Sequence, residues 1–413
     1  MLSAPRPAKP HHSAALIPEK YRSNNTSALA AKPVIPARFA RRPNISTSVS
    51  TFRWTCARAA DGVSRAHSPS SRSKEEIPPL RPHVVEVTTY TACCPCCGEI
   101  RSTHPLQTST AEGAAKVQLG PRTLALAAAL NKQHGLTMRK TCRVLHALAG
   151  LSLTPGGLSQ ALDRVAEKVN GCYENLIQNI RASPAVFVDE TSWWVGGPGW
   201  WLWTFTTPET TVYKVEQCRG SQVIEELLGL QFAGCMVSDC LASYDPAPYR
   251  KHKCIAHHLR AIHAARESTP DSAYLDDWKI VFIAACVLYR ARAELPQEKF
   301  EQSRANLERR IDELLSAVRT QLGDQKIQNR LRKQRPHLLG CLYEPAAEPT
   351  NNRAERSLRP AVIARKLSSG NKTEHGKGTW ETLASLAATC QQRGEAFIQY
   401  LAQRLPLKFS IAG

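Results

Sequence analysis

The sequence has no uninterrupted apolar run approaching the roughly 18–20 residues that a membrane span needs, so a soluble protein with no membrane partner is expected. Its N-terminus lacks the compact apolar stretch of a secretory signal; its Arg, Ser and Ala content with few acids is shared with organellar transit peptides. Fourteen cysteines in 413 residues are too sparse for a disulfide scaffold, and some, such as Cys286 in IVFIAACVLY, stand singly in apolar runs where a thiol packs as a small hydrophobe. A reducing compartment, the cytoplasm, is expected. No internal repeat of solenoid length is present. Acids are also scarce: 35 Asp+Glu face 54 Lys+Arg, a net charge of +19, which favours polyanions, nucleic acid first. What remains is a globular composition, 42% hydrophobic, in a chain long enough for two or three domains.

Residues 1–82 hold fourteen Lys/Arg and four acids, Glu19, Asp61, Glu75 and Glu76, so they carry +10 of the net charge. They show neither helical nor strand period and are expected to be a disordered basic leader. Such an arm can hold DNA phosphates non-specifically, or can be a leader with no partner. Val84–Tyr90 alternates like a strand and runs into Cys93-Cys94-Pro95-Cys96-Cys97-Gly98. From Pro121 the text turns helical: one helix to Gly135, one from Met138 to Gly150, and one from Gly157 to Ile180. The three are compatible with a helix-turn-helix or with a plain bundle joining two domains. From Ala185 the pattern predicts β-β-β-α-β: AVFVDET, WWLWTFTT, TVYKVEQ, the helix SQVIEELLGL, and GCMVSDC. Residues 255–335 read as almost wholly helical, and a helix is expected to start near Asn351, after Pro345 and Pro349.

Two of these strands close on a carboxylate, Val186-Phe187-Val188-Asp189 and Met236-Val237-Ser238-Asp239. In an open sheet the carboxyl ends of the strands border a crevice, where an acid is offered to a ligand. Two aspartates brought together there repel each other unless a cation sits between them, and hard oxygen ligands select Mg²⁺ or Mn²⁺. Each acid taken alone also suits a turn or a helix cap. Glu355, in Pro349-Thr350-Asn351-Asn352-Arg353-Ala354-Glu355-Arg356-Ser357-Leu358-Arg359-Pro360, is the candidate third carboxylate for a two-metal site.

The segments VDET, VSDC and TNNRAERSLRP, in that order, resemble the catalytic core of the insertion-sequence-66 family of bacterial DDE transposases. The resemblance runs from about Val84 to the C-terminus. It implies a ribonuclease-H-like α/β fold, a mixed sheet with a helical insertion, and a triad of Asp189, Asp239 and Glu355 holding two Mg²⁺ or Mn²⁺. It implies metal-dependent DNA cleavage followed by strand transfer, with transposon ends and target DNA as partners. A homo-oligomer on DNA, accessory proteins of the same element and a nucleoid-associated location go with it. The domains then expected are a leader at 1–82, a partial zinc-finger-like segment at 83–118, a helical segment at 119–183, a catalytic domain at 184–365 with its insertion at about 255–340, and a basic loop and helix at 366–413. Two departures stand out: Ser238-Asp239-Cys240 followed by Tyr244 replaces Asp-Gly-Tyr, and Arg365-Lys366-Leu367 replaces a longer Arg-Lys-Asn-type tail. A DNA-binding relative without catalysis, and a ribonuclease-H-like nuclease that cuts without joining, are the alternative readings.

Around the triad, Arg353, Arg356 and Arg359 share one helical side with Asn351 and Asn352 close by, suited to phosphates or simply to solvent. Arg365, Lys366, Lys372 and Lys377 make a Gly-rich basic loop with the same two readings. Cys254-Ile255-Ala256-His257 resembles the family's Cys-x-x-His signature, making His257 a candidate to orient DNA or support the metals, or else a packing residue. Trp193, Trp194, Trp200, Trp201 and Trp203 are candidates for stacking on unpaired bases or for core. Cys94-x-x-Cys97 is half of a zinc knuckle, overlapped by Cys93-x-x-Cys96, and upstream there is only Cys56. Cys93, Cys94, Cys97 and His104 are the candidate four ligands if Zn²⁺ is bound.

Overall fold

The computed structural model describes residues 76–77, 79–102, 104 and 118–405. The leader expected at 1–82 therefore falls, but for its last few residues, outside the described residues. Strands β1 (Thr91–Cys94) and β2 (Gly98–Arg101) form an antiparallel hairpin in which Cys94 pairs with Gly98, whose φ of 75° suits a residue without a Cβ. The strand expected at Val84–Tyr90 does not form. Alternation marks a face, but a strand needs a partner; β2 is four residues long and the turn at 95–97 fixes its register, so pairing begins at Thr91.

Four helices follow: α1 (Pro121–Ala128), continued by a π-turn at Ala129–Gln133, α2 (Met138–Ala149), α3 (Pro155–Lys168) and α4 (Asn170–Arg181). Thr137 and Thr154 cap α2 and α3 by accepting from the Lys140 and Gly157 amides, and Gly150 ends α2 with φ 66°. The single helix expected from Gly157 to Ile180 is broken at Val169, whose ψ is 13°. Val-Asn-Gly is a run of weak helix formers, and burial of Val169 in the core holds the bend.

The central sheet contains β3 (Ala185–Trp193), β4 (Trp200–Thr206), β5 (Thr211–Glu216), β6 (Cys235–Ser238) and β7 (Arg250–Lys253), with α5 (Ser221–Leu228) before β6. Its order is β5-β4-β3-β6-β7; β3, β4 and β5 are antiparallel, β6 runs parallel to β3 and β7 parallel to β6. Sequence pattern missed β7 because Arg-Lys-His-Lys reads as surface, yet Lys251, His252 and Lys253 are buried. Lys253 Nζ reaches Asp245 at 3.0 Å and the Ser238 hydroxyl at 3.4 Å, which pairs the charge locally.

Five helices then carry their own apolar cluster around Trp278 and Phe282: α6 (Ile255–Arg266), α7 (Ala273–Arg290), α8 (Gln297–Ser316), α9 (Leu322–Gln334) and α10 (Gly340–Tyr343). The chain ends in α11 (Asn352–Ser368), α12 (Glu374–Arg393) and α13 (Phe397–Arg404). Helix α11 begins one residue after the expected Asn351 and contains Pro360. No described helix is long and apolar enough to cross a membrane.

The two-residue strand period sorts the faces. Val186, Val188, Trp203, Phe205 and Met236 belong to the largest core, shared with α1 to α5 and α12. Ala185, Phe187, Cys235 and Val237 turn the other way and pack on Ala354 of α11. Further along α11, Leu358 and Ala361 meet Trp193, Trp200 and Leu202, so the apolar stripe at 354, 358 and 361 seats the helix on the sheet. Asn351 locks its start: the buried Nδ2 donates to Val188 O at 2.8 Å, and its amide donates to Cys254 Sγ at 3.1 Å. Asn351→Ala strips the Val188 carbonyl of its donor and is expected to cost about 1–3 kcal/mol, read as a shift in the urea midpoint. Gly340 backs onto β7, where a Cβ would lie 2.5 Å from Lys251 O. Gly340→Ala should therefore cost about 1–3 kcal/mol, and an unchanged midpoint would show that α10 can move away freely.

Candidate active site

Asp189 continues the Ala185-Phe187 face of β3, toward α11, and Asp239 follows Val237 on the matching face one residue beyond β6. Glu355 lies in the first turn of α11. The strand end expected at Asp189 is not found, since β3 runs on beside β4 to Trp193; Asp189 and Asp239 lie instead just past the last rung between β3 and β6, on the α11 side of the sheet, with the Glu355 charge near them. Burial pushes the Asp189 carboxyl up to about 7, helped by the charges of Glu190, Asp239 and Glu355, against one lowering hydrogen bond from the Glu190 amide at 3.0 Å. An Asp239 oxygen accepts from the Leu241 amide at 2.9 Å. Glu355 faces Arg260 of α6 at 3.6 Å. Among the described residues no three of His, Cys, Asp and Glu come close enough together to hold one metal ion. The acids share a face without being drawn into a common ligand shell.

His257 sits against this group. Its Nε2 lies 2.6 Å from Arg260 Nη2, its Nδ1 is buried without a partner, and burial followed by the Arg260 charge lowers its pKa, so the ring is neutral. Neighbouring His258 is buried flat against Phe282 at 5.2 Å, with Cys240 Sγ at 3.7 Å. Arg260 was not singled out by pattern; its place one helical turn after His257 was the available signal.

The basic residues divide, and the expected basic loop is mostly helix: Arg365 and Lys366 lie in α11 and Lys377 in α12, with only Lys372 of the four between them. Arg353 pairs with Glu348 and lies over the Phe187 ring at 5.4 Å. Arg365 clamps β3 through the Ser192 and Thr191 hydroxyls at 2.8 and 3.2 Å. Lys377 donates to Val215 O at 3.0 Å and lies over Trp200. Asn351 is buried as a structural tie, whereas Asn352, Arg356, Arg359, Lys366 and Lys372 are exposed. Neither Arg356 nor Arg359 has an ion pair among the described residues. Of the tryptophans, Trp193, Trp200 and Trp203 are core, Trp201 lies under Arg219 at 4.1 Å, and Trp194 is 43% exposed.

In the cysteine hairpin the thiols of Cys94 and Cys97 influence each other. Hydrogen bonds, the Cys96 amide's first, lower the Cys94 thiol, and the Cys94 contact raises that of Cys97. The structure does not gather Cys93, Cys94, Cys97 and His104 into one metal-holding group.

Comparison with known proteins bears on all of this. Two uncharacterized proteins of Sinorhizobium fredii (strain NBRC 101917 / NGR234) are similar to the chain. With y4qI it is 25% identical over 296 residues, 62% of this chain and 53% of that protein. With y4jO it is 34% identical over 82 residues, 20% of this chain and 26% of that protein. The chain spans about half the length of the first and a quarter of the second. A family model described as "Transposase IS66 family" matches residues 116–378, well over half of the chain and the whole stretch from the first helix to the basic loop after α11. With Asp189, Asp239 and Glu355 all inside that match and the cysteine hairpin outside it, the chain belongs to the IS66 family of transposases.

Proposed function

We propose that the protein cuts DNA at the ends of an insertion sequence and joins the freed 3′ ends to target DNA, using Asp189, Asp239 and Glu355 with divalent metal ions. The observation that carries this reading is the shared face: strand alternation and the packing of Ala354 bring all three carboxylates to the α11 side of the sheet. Three antiparallel strands, then a helix and two parallel strands added on the other side of β3, support a ribonuclease-H-like reading of the sheet.

The donor chemistry fits a hard cation. Three carboxylates supply oxygen only, and Asp189 is held near neutral pKa by burial and by the acids around it, a repulsion that a cation relieves. Asp189, Asp239 and Glu355 would hold Mg²⁺ or Mn²⁺, which when bound polarises phosphoryl oxygens and eases deprotonation of the attacking hydroxyl. Glu355 leaves Arg260 in order to join the aspartates. His257, neutral and one turn from Arg260, holds that guanidinium off the carboxylates once the pair has opened. Arg356 and Arg359, exposed and without ion pairs among the described residues, meet the phosphates flanking the cut, and copies of the chain assemble on the paired ends in the bacterial cytoplasm.

DNA binding without catalysis is the second reading, and it draws on one observation: no three ligands are gathered and Arg260 already faces Glu355. The two readings part on metal dependence. On a duplex carrying the element's terminal repeat, Asp189→Asn and Glu355→Gln should each lower Mg²⁺- or Mn²⁺-dependent cleavage by on the order of 100- to 1,000-fold or more, with binding nearly unchanged. Chelation should abolish cleavage and added Mn²⁺ should restore it; an unmodified protein that never nicks this duplex sinks the catalytic reading, and nicking without joined product marks a nuclease. Binding should weaken with salt. Removing Arg356 and Arg359 together should reduce the slope of log affinity against log salt by about 2, whereas Arg353→Ala, which only frees Glu348, should leave it unchanged.

A further inference from the structure

Asp189 and Glu190 are adjacent acids on one strand, and the pleat sends them to opposite faces. Glu190 points away from α11, with its side chain only 3% exposed. A carboxylate in such a place is costly unless it is paired and hydrogen-bonded. Its partners come from segments that the chemistry above does not use. Arg219, ahead of α5, donates to one oxygen from Nε at 3.2 Å and Nη2 at 2.8 Å while lying over Trp201. Tyr244 donates its hydroxyl to the other oxygen. Burial, then the Glu190 charge, keeps that phenol protonated and so a donor.

Tyr244 closes the short loop that opens at Asp239. It is fully buried, its ring edge-on to Trp203 at 5.9 Å, and Trp203 is the residue opposite Glu190 in the β3–β4 ladder. On the other side of β3 the ladder is short: Phe187 pairs with Val237, and no rung beyond it joins β3 to β6. Asp189 and Asp239 therefore stand two residues past the last paired residues of their strands. The Tyr244–Glu190 contact crosses that gap from the opposite face.

We propose that this hydrogen bond is a positioning tether: it ties the loop bearing Asp239 to the residue beside Asp189 and so sets the spacing of the two aspartates for divalent metal. The inference rests on the reading of the aspartates as metal ligands. Without the tether, the loop from Asp239 to Tyr244 keeps its anchors on β7 and α9, where Lys251, Lys253 and Gln334 hold Asp245, but loses its tie to β3. Arg219 holds the carboxylate from its far side and fixes the direction in which Tyr244 meets it.

The test uses the full chain and Mn²⁺ alone, titrated by electron paramagnetic resonance, with hydrogen exchange of residues 239–245 followed in metal-free protein. Tyr244→Phe keeps the ring and removes only the hydroxyl; it should weaken Mn²⁺ binding about tenfold, the scale seen when a group that orients a ligand is lost, and should speed exchange in the loop. Glu190→Ala should do the same from the other side, and Glu190→Gln, which retains an acceptor for the phenol, should keep most of the affinity. Equal Mn²⁺ affinity in the unmodified, Tyr244→Phe and Glu190→Ala proteins overturns the tether and leaves the aspartate assignment standing. If Asp189→Asn binds Mn²⁺ as tightly as the unmodified chain, the assignment falls and the tether with it.

Discussion

The two-residue pleat of β3 is the constraint on which the site depends. Like charges about 4 Å apart repel by about 4 kcal/mol at an effective dielectric near 20, so two acids in succession are tolerable only where something separates or compensates them. The sheet does both. It turns Glu190 into a buried pocket where Arg219 and Tyr244 satisfy it, and turns Asp189 toward α11, where the neighbouring groups are further acids. The compensated acid is structural. The other is raised to about 7 by burial and by the acids around it.

Positive charge is divided by the same logic. Lys253, Arg353, Arg365 and Lys377 serve the fold: each is matched to a carboxylate, a carbonyl or a hydroxyl of another element, and two of them cover aromatic rings of strands β3 and β4. Arg356 and Arg359 stand on the free side of α11, whose other side is fixed by Ala354, Leu358 and Ala361. The helix periodicity that seats Ala354, Leu358 and Ala361 on the strands thus also decides which arginines face solvent.

Much of this was legible beforehand. AVFVDET and GCMVSDC announce strands, although β3 runs on past Asp189 to Trp193, and the breakers Pro345 and Pro349 announce the helix that carries Glu355. These signals are local, and local pattern reports them well. Strand β7 was illegible because pattern does not announce the partners of its buried polar groups: Lys253 meets Asp245 across a loop eight residues back, Lys251 donates to Asp245 O, and His252 meets Pro349 O, 97 residues on, at 3.1 Å. The roles of Glu190, Arg219 and Tyr244 were hidden for the same reason, since only the sheet order brings them together. Val84–Tyr90 failed in the opposite direction, its alternation being real but without a neighbouring strand to pair with.

Pro360 sits in the middle of α11, five residues after Glu355. A proline within a helix lacks the amide that would bond back one turn, here to Arg356 O, and its ring crowds that turn. Stiffness is therefore interrupted between the segment seated by Asn351 and Ala354 and the segment that runs on to Lys366. Beyond the joint Ala361 packs with Trp193 and Trp200 and Arg365 holds Ser192, so each half of the helix is fastened to the sheet separately. The helix is thus pinned as two short struts in series, and the head that carries Glu355 is held by contacts of its own, those of Asn351 and Ala354.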